Sequence, residues 1–308
     1  MATVTITGVT GLVGKRLAQL LLEKGYRVIG LSRSGNAPVI GVQMARWDIK
    51  AQTIDATAIE QADFIVHLAG AGVAEKRWTK EYKQEIIDSR VKSGELLAQA
   101  MKQHSNKVQA VVCASGVGWY GADTAGSRAN GFVETDKADD DFLGKTCVVW
   151  EQANNNIGAQ TGVRVVSIRT GLAMSNDGGA FAEFKKPQQF GVAAIFGSGE
   201  QVISWIHLDD LCRIYIHAIE NAQLQGAYNG VAPAPLTNKQ LMLMLAKKLR
   251  GNFYIPIHVP AFVLKTMLGE MSVEILKSCT VSAAKIKSTG FTFLYPSAEA
   301  ALEELLKK

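Results

Sequence analysis

Gly8, Gly11 and Gly14 recur at every third position in Gly8-Val9-Thr10-Gly11-Leu12-Val13-Gly14, directly after Thr3-Val4-Thr5-Ile6. A strand that breaks into such a turn and continues as a helix suits one chemistry, the holding of a pyrophosphate. Gly8 permits the tight turn, Gly11 lets the backbone approach the phosphates, and Gly14 lets the helix sit close to the strand. The anion then rests on the N–H groups at the positive end of the helix. Glycines in a surface loop are common, so the context carries the reading: the motif opens one βαβ unit, and Gly8, Thr10, Gly11, Leu12 and Val13 are its expected contacts with a dinucleotide.

The second strand of that unit ends in Leu31-Ser32-Arg33-Ser34. A carboxylate here would accept hydrogen bonds from ribose hydroxyls and repel a 2′-phosphate. Ser32 and Arg33 instead offer a hydroxyl and a guanidinium fork, which suit a phosphate and favour NADP over NAD. The competing reading of Arg33 is a surface arginine at a strand end. Asp48 is either an acceptor for the adenine amino group or the cap of a turn. Leu68-Ala69-Gly70 closes a later strand with a floor of small residues where the nucleotide would lie.

These groups need a frame to position them. Strands are expected at Val4–Thr7, Tyr26–Leu31, Val42–Trp47, Phe64–Leu68, Val108–Ala114 and Val163–Arg169, and helices at Leu12–Lys24, Lys80–Lys102 and Asp140–Ala159. Short apolar runs alternating with longer helical patterns predict an α/β fold, a Rossmann-type doubly wound parallel sheet with right-handed crossovers. After Gly171 the rhythm breaks. The stretch 175–199, rich in Gly and Phe, is expected to form a loop or hairpin near the site. Asp209–Glu220 reads as a helix with Asp209 or Asp210 at its N-cap. Two domains are expected, the nucleotide-binding one over 1–225 and a smaller C-terminal lobe on the substrate side over 226–308, with Met242, Met244 and Met267 filling core.

With 308 residues, 47% hydrophobic and 20% charged, the chain has the composition of a folded globule. A net charge of +5 without any dense Lys/Arg block gives no footprint for nucleic acid. Lys247, Lys248 and Arg250 end a helical pattern, where cations oppose the helix dipole. Cys113, Cys147, Cys212 and Cys279 lie far apart with no C-x-x-C pair, which predicts reduced thiols and no metal site. No targeting pattern precedes the first strand, and no apolar run nears the roughly 20 residues that span a bilayer. The expectation is a cytoplasmic protein, monomer or homodimer, with a small-molecule substrate and no nucleic-acid or membrane partner.

Read together, these residues resemble the extended short-chain dehydrogenase/reductase superfamily of the nucleotide-sugar epimerase and dehydratase type. His67-Leu68-Ala69-Gly70, Arg77-Trp78, Glu85-Ile86-Ile87-Asp88-Ser89-Arg90, Trp150-Glu151, Arg169-Thr170-Gly171, Gly178-Gly179 and Ser204-Trp205-Ile206-His207 are similar to an atypical branch, epimerase family proteins with a small C-terminal domain. The resemblance runs nearly end to end. It implies NADP as cofactor, with Glu85 and Arg90 of the long helix reaching it and the backbone at Leu172 meeting the nicotinamide carboxamide. Five residues apart on a helix, Glu85 and Arg90 point about 140° apart, so both reach one ligand only if it lies across the helix side.

The superfamily's Y-x-x-x-K pair, in which lysine lowers the tyrosine pKa for proton exchange, is missing. Cys147 and Glu151 stand in its place, and a carboxylate raises a neighbouring thiol's pKa. Ser115 matches the superfamily's hydroxyl to within one position, and Tyr120 on the following loop is the candidate replacement acid. Lys76, Arg77 and Trp78 either hold an anionic substrate or cap the long helix. His207 is expected to be a structural hydrogen-bonding residue. Two functions follow: an NADP-binding, epimerase-like oxidoreductase of a small polar substrate without the usual pair, or an NADP-binding sensor that does no chemistry.

Overall fold

The computed structural model describes residues 1–33 and 35–307; Ser34 of the charge-reading stretch lies outside them. In chain order the first half runs β1 (Thr3–Thr7), α1 (Leu12–Glu23), β2 (Arg27–Ser32), β3 (Gln43–Asp48), β4 (Thr53–Ile54), α2 (Thr57–Glu60), β5 (Phe64–His67), α3 (Lys80–Gln103), β6 (Ala110–Gly116), α4 (Ala125–Asn130), α5 (Phe142–Thr161) and β7 (Arg164–Thr170). The second half runs β8 (Leu172–Met174), α6 (Gly179–Gln188), β9 (Val192–Phe196), β10 (Val202–Ile203), β11 (Trp205–His207), α7 (Leu208–Glu220), β12 (Gly226–Gly230), β13 (Leu236–Thr237), α8 (Asn238–Arg250), β14 (Ile255–Val259), α9 (Ala261–Leu268), α10 (Ser272–Leu276), α11 (Ala284–Ser288) and α12 (Ala298–Leu305).

An eight-stranded sheet in the order β12-β7-β6-β5-β1-β2-β3-β4 organises the molecule, parallel throughout except for the antiparallel edge strand β4. Fully buried Val4, Ile6, Val28, Ile65, Val66, Val111 and Val112 explain why the central strands read as apolar runs: helices cover both faces. On one face α1 and α7 pack Leu17, Leu21, Leu211 and Ile214 into the core. On the other, α3 and α5 supply Leu97, Met101 and Ile157. The chain runs outward from β1 through β2 and β3, then returns to lay β5 on its other side. The strand order therefore reverses between β1 and β5, and the crevice beyond their carboxyl ends is where such sheets take ligands.

Three expectations are corrected. The stretch 175–199 holds α6 and β9 rather than a loop or hairpin. Phe181 is fully buried among lobe residues, and β9 pairs with β14, some 60 positions later, an arrangement without local signature. The 225/226 boundary cuts off β12, which pairs in parallel with β7 as part of the main sheet. Its sequence, Gly-Ala-Tyr-Asn-Gly, lacks the apolar run that betrays the other strands. The lobe's own core joins Met174, Phe181, Ile195 and Trp205 to Leu241, Met242, Leu245, Ala301 and Leu302, so both sides of β12 contribute to it. Met267, expected as core, is 67% exposed.

Candidate functional site

Gly8 follows β1 with φ +68°, a left-handed conformation open to glycine, and Gly11 N–H donates to its carbonyl at 3.0 Å. A Cβ on Gly14 would stand 2.7 Å from Val9 Cα and closer still to the Gly8 carbonyl, so α1 can rest this near β1 only without one. The helix starts on Gly11 with no side-chain cap and no acidic residue in its first turn. Its leading N–H groups are left for an incoming anion. Across the crevice, Thr7 Oγ1 accepts from the N–H groups of Leu68 at 3.0 Å and Ala69 at 3.1 Å. The same hydroxyl meets His67 Nδ1 at 2.7 Å, while Ser93 Oγ lies 3.1 Å from Nε2. Burial lowers the His67 pKa to about 4, so the ring is neutral and fixes the floor under Leu68–Gly70. Sequence reasoning missed this role of Thr7; a hydroxyl at the carboxyl end of β1, directly before the Gly8 turn, was the available signal.

Ser32 is buried and its Oγ accepts from Gly35 N–H at 3.1 Å, turning the chain so that Arg33 stands exposed at the strand end. Asp48 is the turn cap of its two readings: Oδ1 accepts from Lys50 and Ala51 N–H at 2.8 and 3.1 Å. Those two backbone donors, and then the cations of Lys50 and Arg33, hold its carboxyl below the usual range.

On α3, Glu85 and Arg90 diverge as their spacing requires. Glu85 is exposed, 3.7 Å from Lys76. Arg90 is buried at 7% exposure beneath the Gly70 turn, its guanidinium 3.3 Å from where a Cβ on Gly70 would stand. Nη1 donates to the carbonyls of Ala71 and Ile86 at 3.0 and 2.9 Å, and the guanidinium lies 4.4 Å from the Trp150 ring centre. Nε has no partner among the described residues and burial depresses the pKa. Arg77 donates to the Thr266 carbonyl and Lys83 pairs with Glu270, tying the loop before α3 and the first turn of α3 to the lobe. Thr79 caps α3 by accepting from Tyr82 N–H.

Around Glu151 a closed network fills the space. Glu151 takes both arms of Arg169, Nε to Oε1 at 2.8 Å and Nη2 to Oε2 at 2.9 Å, with the two side chains 9% and 3% exposed. Ser115 Oγ donates to Glu151 Oε1 at 2.6 Å. Burial works against the Arg169 cation, but the bonds to Glu151 outweigh it and the net shift is upward. Cys147 is buried, its thiol pushed up to about 12 by burial and then by the Glu151 charge.

Tyr120 does not fit the part of a replacement acid. It is fully buried, stacked on Phe132 at 5.1 Å between ring centres. Its hydroxyl donates to Asn229 Oδ1 at 2.8 Å and accepts from Arg169 Nη1 at 3.0 Å, while burial carries its pKa up to about 12. The partner that turns it inward, Asn229, comes from β12, the strand the sequence concealed. The Leu172 N–H donates to Ser204 O at 2.9 Å, so at that position the amide donor is already used. His207 caps α7, Nδ1 accepting from Asp209 N–H at 3.1 Å, in place of Asp209 or Asp210. Asp209 instead holds Arg16 of α1 with both oxygens, and Asp210 accepts from Arg213 and from the N–H groups of Leu294 and Tyr295. No cluster of metal-ligating side chains and no helix long and apolar enough to cross a membrane occurs among the described residues.

Comparison with known proteins agrees with this geometry. The model of the NAD dependent epimerase/dehydratase family matches residues 4–229, and a domain of unknown function, DUF1731, matches 259–305. Epimerase family protein SSP1921 of Staphylococcus saprophyticus is 33% identical over 307 residues, covering 98% of each chain. Epimerase family protein YfhF of Bacillus subtilis is 31% identical over 305 residues, covering 98% of this chain and 97% of its own. The crystal structure of human epimerase family protein SDR39U1 (isoform 2) with NADPH superposes with a TM-score of 0.84 at 28% identity, covering 98% of both chains. The glycine turn, the reversed strand order and the capped lobe thus place the chain in the NAD dependent epimerase/dehydratase family, as an atypical extended short-chain dehydrogenase/reductase of the epimerase family protein type.

Proposed function

We propose that the chain binds NADP(H) in the β1/β5 crevice and works as an epimerase-like oxidoreductase on a small polar substrate, without a tyrosine–lysine pair. The observation that carries the cofactor half is Arg90, a buried cation that forms no ion pair among the described residues. Such a charge costs several kcal/mol unless an anion joins it, and a nucleotide lying over Gly70 supplies one. The uncapped start of α1 and the close approach of α1 to β1 that Gly14 allows fit the same ligand. In this reading Gly8, Thr10, Gly11, Leu12 and Val13 hold the pyrophosphate, Ser32 and Arg33 the 2′-phosphate, Leu68, Ala69 and Gly70 the floor, and Arg90 a phosphate or ribose. Glu85 meets the ligand only at the rim, and Leu172 only through groups other than its N–H. The human relative's structure with NADPH supports the choice of nucleotide.

When bound, NADP supplies hydride exchange. For the accompanying proton the chain's own route is Ser115: a substrate hydroxyl gives its proton to Oγ as the serine proton moves along the 2.6 Å bond to Glu151. Arg169 fixes the carboxylate for that transfer. A second reading, an NADP-binding sensor without turnover, draws on the same network, because the hydroxyl protons of Ser115 and Tyr120 are both committed inside the protein.

One experiment separates the readings. NADPH is mixed with the protein and a panel of carbonyl compounds, nicotinamide absorbance is followed, and melting is measured against NADPH and NADH. Oxidation that Ser115→Ala abolishes without loss of the NADPH-induced melting shift supports the enzyme; a melting shift without oxidation supports the sensor. Arg33→Asp is expected to weaken NADPH at least about tenfold more than NADH, as loss of a charge-assisted phosphate contact would. Equal losses would refute the assignment of Arg33.

A further inference from the structure

From Asn221 through Gly269 the chain carries five Lys/Arg and no Asp or Glu. The fold gathers much of this stretch at one corner of the lobe, where α6 and α8 both end in basic last turns. Arg250 does not cap its own helix: Nε donates to the Gln188 carbonyl at 3.0 Å and Nη2 to that of Gln189, closing α6. Ile255 N–H donates to Gly191 O at 2.8 Å, which sets the turn at Phe190 beside the turn at Phe253. Both phenyl rings stand out from these turns, 84% and 88% exposed, and Ile255 and Ile257 continue the apolar line along β14 at 66% and 45%. Lys247 is exposed and enters no ion pair among the described residues, whereas Lys248 pairs with Glu303.

We propose that this corner, Phe190 and Phe253 with Lys247 and Arg250 of the last turn of α8, docks the protein peripherally on an anionic lipid surface. Aromatic tips beside unopposed cations suit the headgroup layer, where rings enter the interface and lysines meet acidic lipid. A second copy seated on the same patch by a twofold axis would bring like charges together. Strand addition is blunted as well. Ile255 bonds inward to the β9 side, so alternation points Pro256 outward, where it has no N–H to offer. The expectation of no membrane partner rested on the lack of a spanning segment, which a peripheral contact does not require.

The test is cosedimentation of the full chain with vesicles of equimolar phosphatidylcholine and phosphatidylglycerol, against vesicles of phosphatidylcholine alone. Binding is expected to the anionic vesicles only and to fade with added salt. Lys247→Ala should weaken it about fivefold, and Phe190→Ser with Phe253→Ser at least about tenfold. Both variants change exposed side chains that are not among those assigned to the crevice, so their melting temperatures should match the parent's. The proposal is overturned if the parent ignores anionic vesicles, if the variants bind as well as it does, or if the phenylalanine substitutions abolish a dimer or the capture of an acidic polypeptide instead.

Discussion

Placing a lysine in α5, as Glu151→Lys, is expected to break the network around Arg169. Glu151 is the partner of a guanidinium only 3% exposed and bound through two contacts of 2.8 and 2.9 Å. Removing one member of a buried pair costs about 3–5 kcal/mol. The new ammonium adds repulsion, about 4 kcal/mol for charges roughly 4 Å apart at an effective dielectric near 20, limited by how readily the lysine sheds its proton. Ser115 also loses its acceptor, about 1–3 kcal/mol more. A total above about 5 kcal/mol reaches the stability range of a whole domain. Urea unfolding followed by far-UV circular dichroism should therefore show a collapse of the midpoint for Glu151→Lys and a loss of about 3 kcal/mol for Glu151→Gln. The apolar double Glu151→Leu with Arg169→Met, which leaves no orphaned charge, should return to within about 2 kcal/mol of the parent. A Glu151→Lys protein within about 1 kcal/mol of the parent, or a double no better than the singles, would refute the reasoning.

Other outcomes follow from local geometry. Gly14→Ala forces a methyl to within 2.7 Å of Val9 Cα; it should cost about 1–3 kcal/mol and erase the NADPH-induced melting shift, and an unchanged shift would count against the pyrophosphate turn. His67 has a folded pKa of about 4 against an ordinary value near 6.5, so between those limits the unfolded chain binds the extra proton. Its contribution is complete above about pH 6.5 and is lost as pH falls, by about 2 kcal/mol between roughly pH 7 and pH 5. His207 is shifted downward too, chiefly by burial, so the parent is compared with His67→Gln: urea midpoints of the variant should fall less across that range, and an equal fall would assign the effect elsewhere.

Much of the fold was legible because its signals are local. Val4, Ile6, Val28 and Val66 lie on strands covered on both faces, where burial favours apolar and β-branched residues, the threonines of β1 included. The geometry of the glycine turn was legible for a similar reason: a left-handed Gly8 and a Cβ-free Gly14 are demands that a few consecutive residues make of themselves. The divergence of Glu85 and Arg90 came directly from helical periodicity. β12 escaped because Gly226, Ala227 and Gly230 bury little side chain and take their order from β7, 60 residues earlier. α6 and β9 escaped because what holds them, the lobe core and β14, lies far along the chain.

By itself the sequence determined the nucleotide-binding fold of the family and set Cys147 and Glu151 where the resemblance expects tyrosine and lysine, since both depend on residue identity at a fixed local spacing. What Glu151 and Tyr120 bind was decided by tertiary structure alone. Arg169 reaches Glu151 across 18 positions and Asn229 reaches Tyr120 across 109. A hydroxyl proton goes to whichever acceptor the packed sheet brings within about 3 Å, and a buried charge is tolerated only where the fold has delivered its partner.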